Sequence, residues 1–409
     1  MPMYFFHYAY RNILRSRQRS LLTIGAMAFA GFIMIFYATL MEGLLWTTEQ
    51  NVVGLDLGEI QIHAPGYRLD PDLYTSISNG DSVISRIEKM GFAAAPRLYA
   101  YGLAAAGSSS AGVRLRGVDL KAEPQVSRIS RHLLAGQWLA GNDPKGVVLG
   151  RKLARTLSVK VGAEVVVVGQ AADGSLANDL FQVRGILRAV GAGVDQAGFF
   201  MSIESFRKLM ALPRGVHEIV VVRRNSADDL GQSTRNLSAL YPDLEVLNWR
   251  QLQPVVARIV DISNYSLMIM LLITYAAVGI LTLNAMLMSV FERIPELGVM
   301  KALGVSPWRI FGLILTEAML QAGAAVALAL ATAVPLSAYF ARHPLDFLWF
   351  IKETSSIAGV ALEPVWYCRI TPATIVGPAG FLFGMAVLAV LYPAGKAAVI
   401  RPLKAIYHR

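Results

Sequence analysis

The side chains whose placement could matter most for chemistry are two carboxylates in apolar surroundings. Glu317 lies inside the run Ile310 to Phe340, and Glu42 lies at the outer edge of the run Leu21 to Leu44. A carboxylate at membrane depth can relay a proton, or it can lock helices together through hydrogen bonds. Packing is the role expected for Glu317, with Asn284 and Gln321 as candidate partners. It stands eight residues past Arg309, roughly 12 Å along a helix. Enzymatic motifs are missing: there is no G-x-x-x-x-G-K-[ST] loop, G-x-G-x-x-G, H-E-x-x-H or G-x-S-x-G. The six histidines (His7, His63, His132, His217, His343, His408) show no metal-ligand spacing, so neither a metal site nor a catalytic residue is expected. Cys368 is the single cysteine, read as a buried thiol, and no internal disulfide can form.

The other informative cluster is Phe291-Glu-Arg-Ile-Pro-Glu-Leu-Gly-Val-Met-Lys-Ala-Leu-Gly304, followed by Val305-Ser-Pro-Trp-Arg309. Ile294, Leu297, Met300 and Leu303 recur at three-residue steps and Gly304 stops the pattern, which predicts a short amphipathic helix outside the bilayer. Pro295 is tolerable in a first turn. Such a helix could rest on lipid headgroups, or it could enter a groove on a cytoplasmic partner.

These segments are positioned by four apolar runs: Leu21 to Leu44, Tyr265 to Val290, Ile310 to Phe340 and Ala373 to Tyr392. Each reaches the ~20 residues a helix needs to cross a bilayer. With 55% hydrophobic residues, 16% charged and a mean hydropathy of +0.47, the composition excludes an ordinary soluble chain. The net charge of +10 is no sign of nucleic-acid binding, because the cations cluster beside the runs. Arg11, Arg15, Arg17 and Arg19 precede the first run, Arg293, Lys301 and Arg309 sit in the short link, and Lys396, Arg401, Lys404 and Arg409 follow the last. The positive-inside rule then places the termini and the link in the cytoplasm, and the large insert and the 341–371 loop outside. The first run is too long for a cleaved signal peptide and reads as a retained anchor.

The fold class expected is an α-helical membrane protein with four transmembrane helices and a large α+β extracytoplasmic domain between helices one and two. The segments are a cytoplasmic amphipathic stretch 1–20, helix one 21–45, the domain 46–264, helix two 265–291, the link 292–309, helix three 310–340, an outer loop 341–372, helix four 373–392 and a tail 393–409. Within the domain, strands are predicted at Glu59 to His63, Gly112 to Val118, Glu164 to Val168, Phe181 to Ile186, Glu218 to Val222 and Leu244 to Leu247. Helices are predicted at Asp81 to Met90, capped and with Ile84, Ile87 and Met90 on one face, and near Ala227 to Leu240. Asp173-Gly174 marks a hairpin. Two small α/β lobes are expected, divided near 120–150.

The stretch Glu292-Arg-x-x-Glu296-Leu-Gly-Val-Met-Lys-Ala-Leu-Gly304 resembles the coupling-helix signature of the FtsX-like permeases, membrane subunits of ABC transporters in the macrolide-exporter and lipoprotein-releasing group. Tyr10-Arg-Asn-Ile-Leu-Arg-Ser-Arg-Gln-Arg-Ser-Leu-Leu-Thr23 is similar to that family's amphipathic elbow, and Tyr392-Pro-Ala-Gly-Lys-Ala-Ala-Val-Ile-Arg-Pro402 to its tail. The resemblance implies that Glu292, Arg293, Glu296, Leu297, Gly298, Met300, Lys301, Leu303 and Gly304 form the helix that docks on a separate ABC ATPase subunit. It implies further that ATP and Mg belong to that ATPase, with no cofactor bound and no catalysis performed by this chain. A second permease copy or a sister permease is the implied partner.

Within the group, an insert of about 220 residues exceeds that of FtsX proper, and a permease without a fused N-terminal ATPase is expected. Leu247-Asn-Trp249-Arg-Gln-Leu-Gln-Pro254 looks like the tryptophan-containing approach of lipoprotein-releasing permeases, although Trp249 also reads as an interfacial anchor. The expected activity is extraction of lipoproteins or another amphipathic cargo from the bacterial inner membrane. The alternatives are mechanotransmission to a periplasmic adaptor for drug, peptide or toxin efflux, and a regulatory scaffold that activates a cell-wall hydrolase.

Overall fold

The computed structural model describes residue 11 and residues 17–225, 228–346, 356–357, 360–361 and 365–399. The 393–409 tail is thus described only to residue 399, and most of the 1–20 segment falls outside. Two compact units are present: a β-rich unit of Thr47–Ile259 with Leu348–Pro364, and a helical unit formed by the remaining chain. Helix α1, Arg17–Val52, is followed by a π-helical turn at Val53–Leu57. Gly58 closes that turn at φ +72°, its N–H donating to the Val53 carbonyl at 2.8 Å.

The β-rich unit contains β1 (Ile60–His63), α2 (Gly80–Lys89), β2 (Phe92–Ala106), β3 (Ser109–Val118), α3 (Glu123–Val126), β4 (Leu133–Gly136), β5 (Gly146–Leu149) and α4 (Arg151–Thr156). It continues through β6 (Glu164–Gln170), β7 (Leu176–Leu187), α5 (Ala192–Ala197), β8 (Gly198–Ser202), α6 (Ile203–Leu209), β9 (Glu218–Arg223), α7 (Leu230–Leu240), β10 (Glu245–Asn248) and α8 (Trp249–Leu252). The strands predicted from alternation are all present, and the 173–174 turn joins β6 to β7 with Gly174 at φ +81°.

The division of this unit differs from expectation. β10, β1, β9 and the first half of β2 pair in that order, all antiparallel, in a split βαβ plait with α2 and α7. The second half of β2 pairs β3 and β6, and the ladder runs β3, β8, β5, β7, β6 and back to β2. This closes a six-stranded barrel, inserted in sequence between β2 and β9. The lobes are therefore nested, and 120–150 falls inside the insertion. Local breakers such as Gly136 mark turns, whereas nesting depends on pairings more than 100 residues apart.

Alternate residues fill the barrel, including Leu115, Val147, Val167, Phe181 and Phe199, with the two phenylalanine rings edge to face at 5.9 Å. The same core runs onto one face of the plait, where Ile60, Ile62, Ile219 and Val221 meet Val83 and Ile87 of α2 and Leu237 of α7. On α2, Val83 and Ile87 face inward while Met90 is exposed, and Asn79 at its start makes no side-chain cap. The predicted face was rotated by roughly one residue.

The helical unit holds α1 together with α9 (Pro254–Glu292), α10 (Ile294–Ala302), α11 (Pro307–Arg342) and α12 (Pro372–Val399). The four longest helices are long and apolar enough to cross a membrane. They pack through small side chains: Ala322 and Ala325 of α11 meet Met27 and Met34 of α1 and Leu382 and Ala386 of α12. A Cβ on Gly31 would lie 2.9 Å from the Cβ of Ala329, which shows how close the helices come. Buried hydroxyls find partners, Tyr275 donating to the Pro378 carbonyl at 2.9 Å and Thr39 meeting Ser337 at 2.9 Å. Cys368 is a buried free thiol.

Gly58→Ala tests the π-turn. A Cβ there would stand 2.2 Å from Val220 Cγ1 in a left-handed conformation. Thermal unfolding of the variant is expected to show a loss of about 2 kcal/mol or more.

Candidate functional site

Helix α10 carries the residues that the sequence marked for docking, and the structure divides them between two faces. Ile294 and Leu297 are buried, Leu297 at 5% exposure against Ile310, Ile314 and Ala318 of α11 and Val390, Ala394 and Ala397 of α12. Gly298 is also buried, and Met300 is half-buried on the same cluster. Glu292, Glu296, Val299 (50%) and Leu303 (81%) are exposed, as is Trp308 (81%) beyond the turn. Gly304 adopts φ +91°, the left-handed residue that ends the helix.

The expectation that Ile294, Leu297, Met300 and Leu303 share one face is therefore corrected. Three residues turn a helix through 300°, so the three-residue series drifts by 60° per step and puts Leu303 opposite Ile294. Glu296, Val299 and Leu303, at i, i+3 and i+7, form the outward stripe.

Two polar ties fix α10 from within. Arg293 Nη1 donates to Glu317 Oε2 at 2.8 Å, and Arg293 Nε lies 3.7 Å from Glu296 Oε2. Lys301 Nζ donates to the Ala398 carbonyl at 2.5 Å. Glu317 is buried and Gln321, one turn along α11, is buried beside it, but Asn284 is exposed on α9. The partner of Glu317 is thus Arg293, not Asn284: the carboxylate locks the link helix to α11 rather than α9 to α11. An ion pair across a chain reversal leaves no periodic trace in the sequence.

A second cluster, which the sequence did not signal, lies in the β-rich unit. Alternation puts His63 of β1, Arg97 and Tyr99 of β2 and Glu218 of β9 on the face of the plait opposite its apolar core. Arg97 forks onto Glu123 of α3 at 2.6 and 3.0 Å, and reaches Glu218 at 3.1 Å and the Asp56 carbonyl at 2.5 Å. Arg116 pairs with the Asp56 carboxylate at 2.5 Å, and Tyr99 donates to Glu218 at 2.9 Å. Arg128 adds bonds to the carbonyls of Gln50, by side chain, and Gly54, by backbone. The π-turn and the end of α1 are thereby stapled to the plait. Trp249 (2% exposed) seals this root against Val53, Leu57, Val256 and Ala257, so it is a core residue of the unit and not an interfacial anchor.

Tyr67 stacks between the rings of His63 and His217, at 5.8 and 5.3 Å. His217 Nδ1 accepts from the Tyr99 N–H and its Nε2 faces the Leu73 carbonyl, which fixes the neutral tautomer; burial holds its pKa down. Among the described residues no group of three or more His, Cys, Asp or Glu could hold a metal ion.

Burial opposes ionisation of Glu218, but the hydrogen bond from His63 and the guanidinium of Arg97 outweigh it and hold the carboxyl far below its usual range. A carboxyl whose pKa is depressed by folding contributes stability above its unfolded value, and this is lost as pH falls. Melting temperature is expected to drop below about pH 5, and Glu218→Gln is expected to flatten that drop. Arg97→Met strands two buried carboxylates and should destabilise by about 3–5 kcal/mol, measured by thermal or denaturant unfolding.

Comparison with known proteins agrees with this architecture. Residues 20–240 match the MacB-like periplasmic core domain, and residues 268–402 match the FtsX-like permease C-terminal domain. The chain is 24% identical over 191 residues to an uncharacterized ABC transporter permease of Methanocaldococcus jannaschii, covering 44% of this chain and 45% of that relative. It thus spans about half the length of the curated relative it matches. Among solved structures, the periplasmic region of MacB from Actinobacillus actinomycetemcomitans aligns with a TM-score of 0.36 and 16% identity, over 52% of this chain and 98% of that one. The extracellular domain of the noncanonic ABC-type transporter YknZ from Gram-positive bacteria aligns with a TM-score of 0.34 and 12% identity, over 46% and 99%. Superpositions this loose carry no argument. The periplasmic core domain alone accounts for more than half of the sequence, and with the permease domain following it the chain belongs to the FtsX/MacB-type family of ABC transporter permeases.

Proposed function

We propose that a separate ABC ATPase docks on the outward stripe of α10 and that its ATP-driven motion is passed through α11 and α12 to drive work by the β-rich domain. The observation that supports this is the division of α10: one side bound to α11 and α12 by Leu297, Arg293–Glu317 and Lys301, the other side apolar and exposed at Val299 and Leu303. A partner pushing on that exposed side moves a helix already anchored to two membrane-capable helices. In this reading ATP and Mg are bound by the partner, and the permease works as a pair. The termini and the 292–309 link face the cytoplasm, as their arginines and lysines favour, and the β-rich domain projects from the other side of the bacterial inner membrane.

The cargo we propose is a lipoprotein or another amphipathic molecule drawn from the membrane. Adaptor-linked efflux and control of a cell-wall hydrolase remain the competing outcomes of the test below.

The paired substitution Val299→Asp with Leu303→Asp is expected to weaken ATPase co-purification by about 30-fold, as loss of a central apolar anchor costs about 2 kcal/mol. Insertion and melting should stay unchanged. Leu297→Asp is expected to lower the melting temperature itself, because it buries a charge between α11 and α12. Retention of the ATPase by the paired variant would disprove the docking face. Depletion of the chain, followed by separation of inner and outer membranes, is expected to leave mature lipoproteins in the inner membrane. An unchanged distribution would turn the reading to efflux or signalling.

A further inference from the structure

The helical unit contains a groove that neither α10 nor the packing of the helices accounts for. It has a volume of about 380 Å³ and lies between α1, α9 and α12, with Ala38, Leu271, Tyr275, Gly377 and Phe381 among its walls. Along α9 the lining runs from Leu267 to Tyr275, roughly 12 Å of helix. Glu42 is the acidic residue of the lining. Its carboxylate lies 3.6 Å from Arg369 Nη1, with side-chain exposures of 38% and 44%, and the guanidinium sits 5.0 Å over the ring of Trp46. Arg369 is held in place by its own backbone, whose N–H donates to the Thr39 carbonyl at 2.8 Å.

A helix from a second copy of the chain, seated in the groove, would shut lipid out, and the test below reads that as no retained lipid. An acyl chain is slim enough, and the walls offer it apolar surface. The rim then selects the headgroup. An exposed carboxylate and guanidinium 3.6 Å apart gain little from each other, so a ligand that brings both complementary charges can part them and satisfy each. A primary ammonium donates to Glu42, and a phosphodiester accepts from Arg369 in the fork geometry that guanidinium favours. Trp46 stands at the same end of α1 as these two charges, an arrangement typical of headgroup depth.

We infer that this groove is a binding site for one phospholipid with a zwitterionic, primary-amine headgroup, its acyl chain between α1, α9 and α12 and its headgroup between Glu42 and Arg369. The inference holds independently of the transported cargo and of the ATPase docking face.

The test uses the full chain, solubilised from a membrane containing equal amounts of phospholipids that share acyl chains and differ in an ethanolamine, choline or glycerol headgroup. Retained lipid is counted by native mass spectrometry. The ethanolamine lipid is expected to be retained about twofold to fivefold over each of the others, the range an exposed ion pair supplies. Glu42→Gln should remove that preference while total retained lipid persists. Gly377→Leu, whose added atoms enter open space in the groove, should lower total retention without changing the fold. Equal retention of the three headgroups, or no retained lipid at all, overturns the site. So does displacement of the lipid by a triacylated lipopeptide equally well in the original chain and in Glu42→Gln, which would assign the groove to cargo.

Discussion

The β-rich unit depends on a set of buried charges that must stay together. Arg97 is the hub, since it touches Glu123, Glu218 and the backbone of Asp56 together. Burying one of these ions by itself would cost several kcal/mol, but a bidentate fork, a tyrosine hydroxyl and a second arginine leave few lone pairs unmet. What the network gives in return is geometric definition. An apolar contact between the π-turn and the plait could slide, whereas a guanidinium fork has one good arrangement. The π-turn is therefore seated on the plait in a single register.

The link helix α10 follows the same logic in the other unit. Its inward side combines an apolar cluster with an ion pair to Glu317 and a lysine on the Ala398 carbonyl of α12. Lys301 donates to the Ala398 carbonyl of α12 and so ties the two helices by a charge-assisted hydrogen bond. In both places a charged side chain fixes a short element that has too little apolar area to hold itself. In both, the partner residues lie far away in sequence.

The groove between α1, α9 and α12 shows the opposite use of charge. Glu42 and Arg369 are half-exposed and loosely paired, so they add little to stability and remain available to a ligand. Among the described residues, the buried pair Arg293–Glu317 and the open pair Glu42–Arg369 differ mainly in how much water reaches them.

Membrane-capable helices were legible because twenty apolar residues in a row have few other destinations, and the strands were legible where residues alternate. The strand β1 was placed correctly although all four of its residues are buried: its second face carries Gln61 and His63, which alternation reads as solvent-facing but which bond the Leu57 carbonyl and Glu218. The link helix was placed from the order of its residues, but its outward stripe was misassigned, because a three-residue period imitates a helical face for one turn and then drifts off it. The sequence by itself determined the elements, the membrane-capable runs and the position of the link helix, all properties of neighbours along the chain. Only the tertiary structure decided the nesting of the barrel within the plait, the pairing of Glu317 with Arg293 and the gathering of His63, Arg97, Glu123 and Glu218. Each of these joins residues separated by one or more elements, and the pairing energy that selects them exists only once the chain has folded.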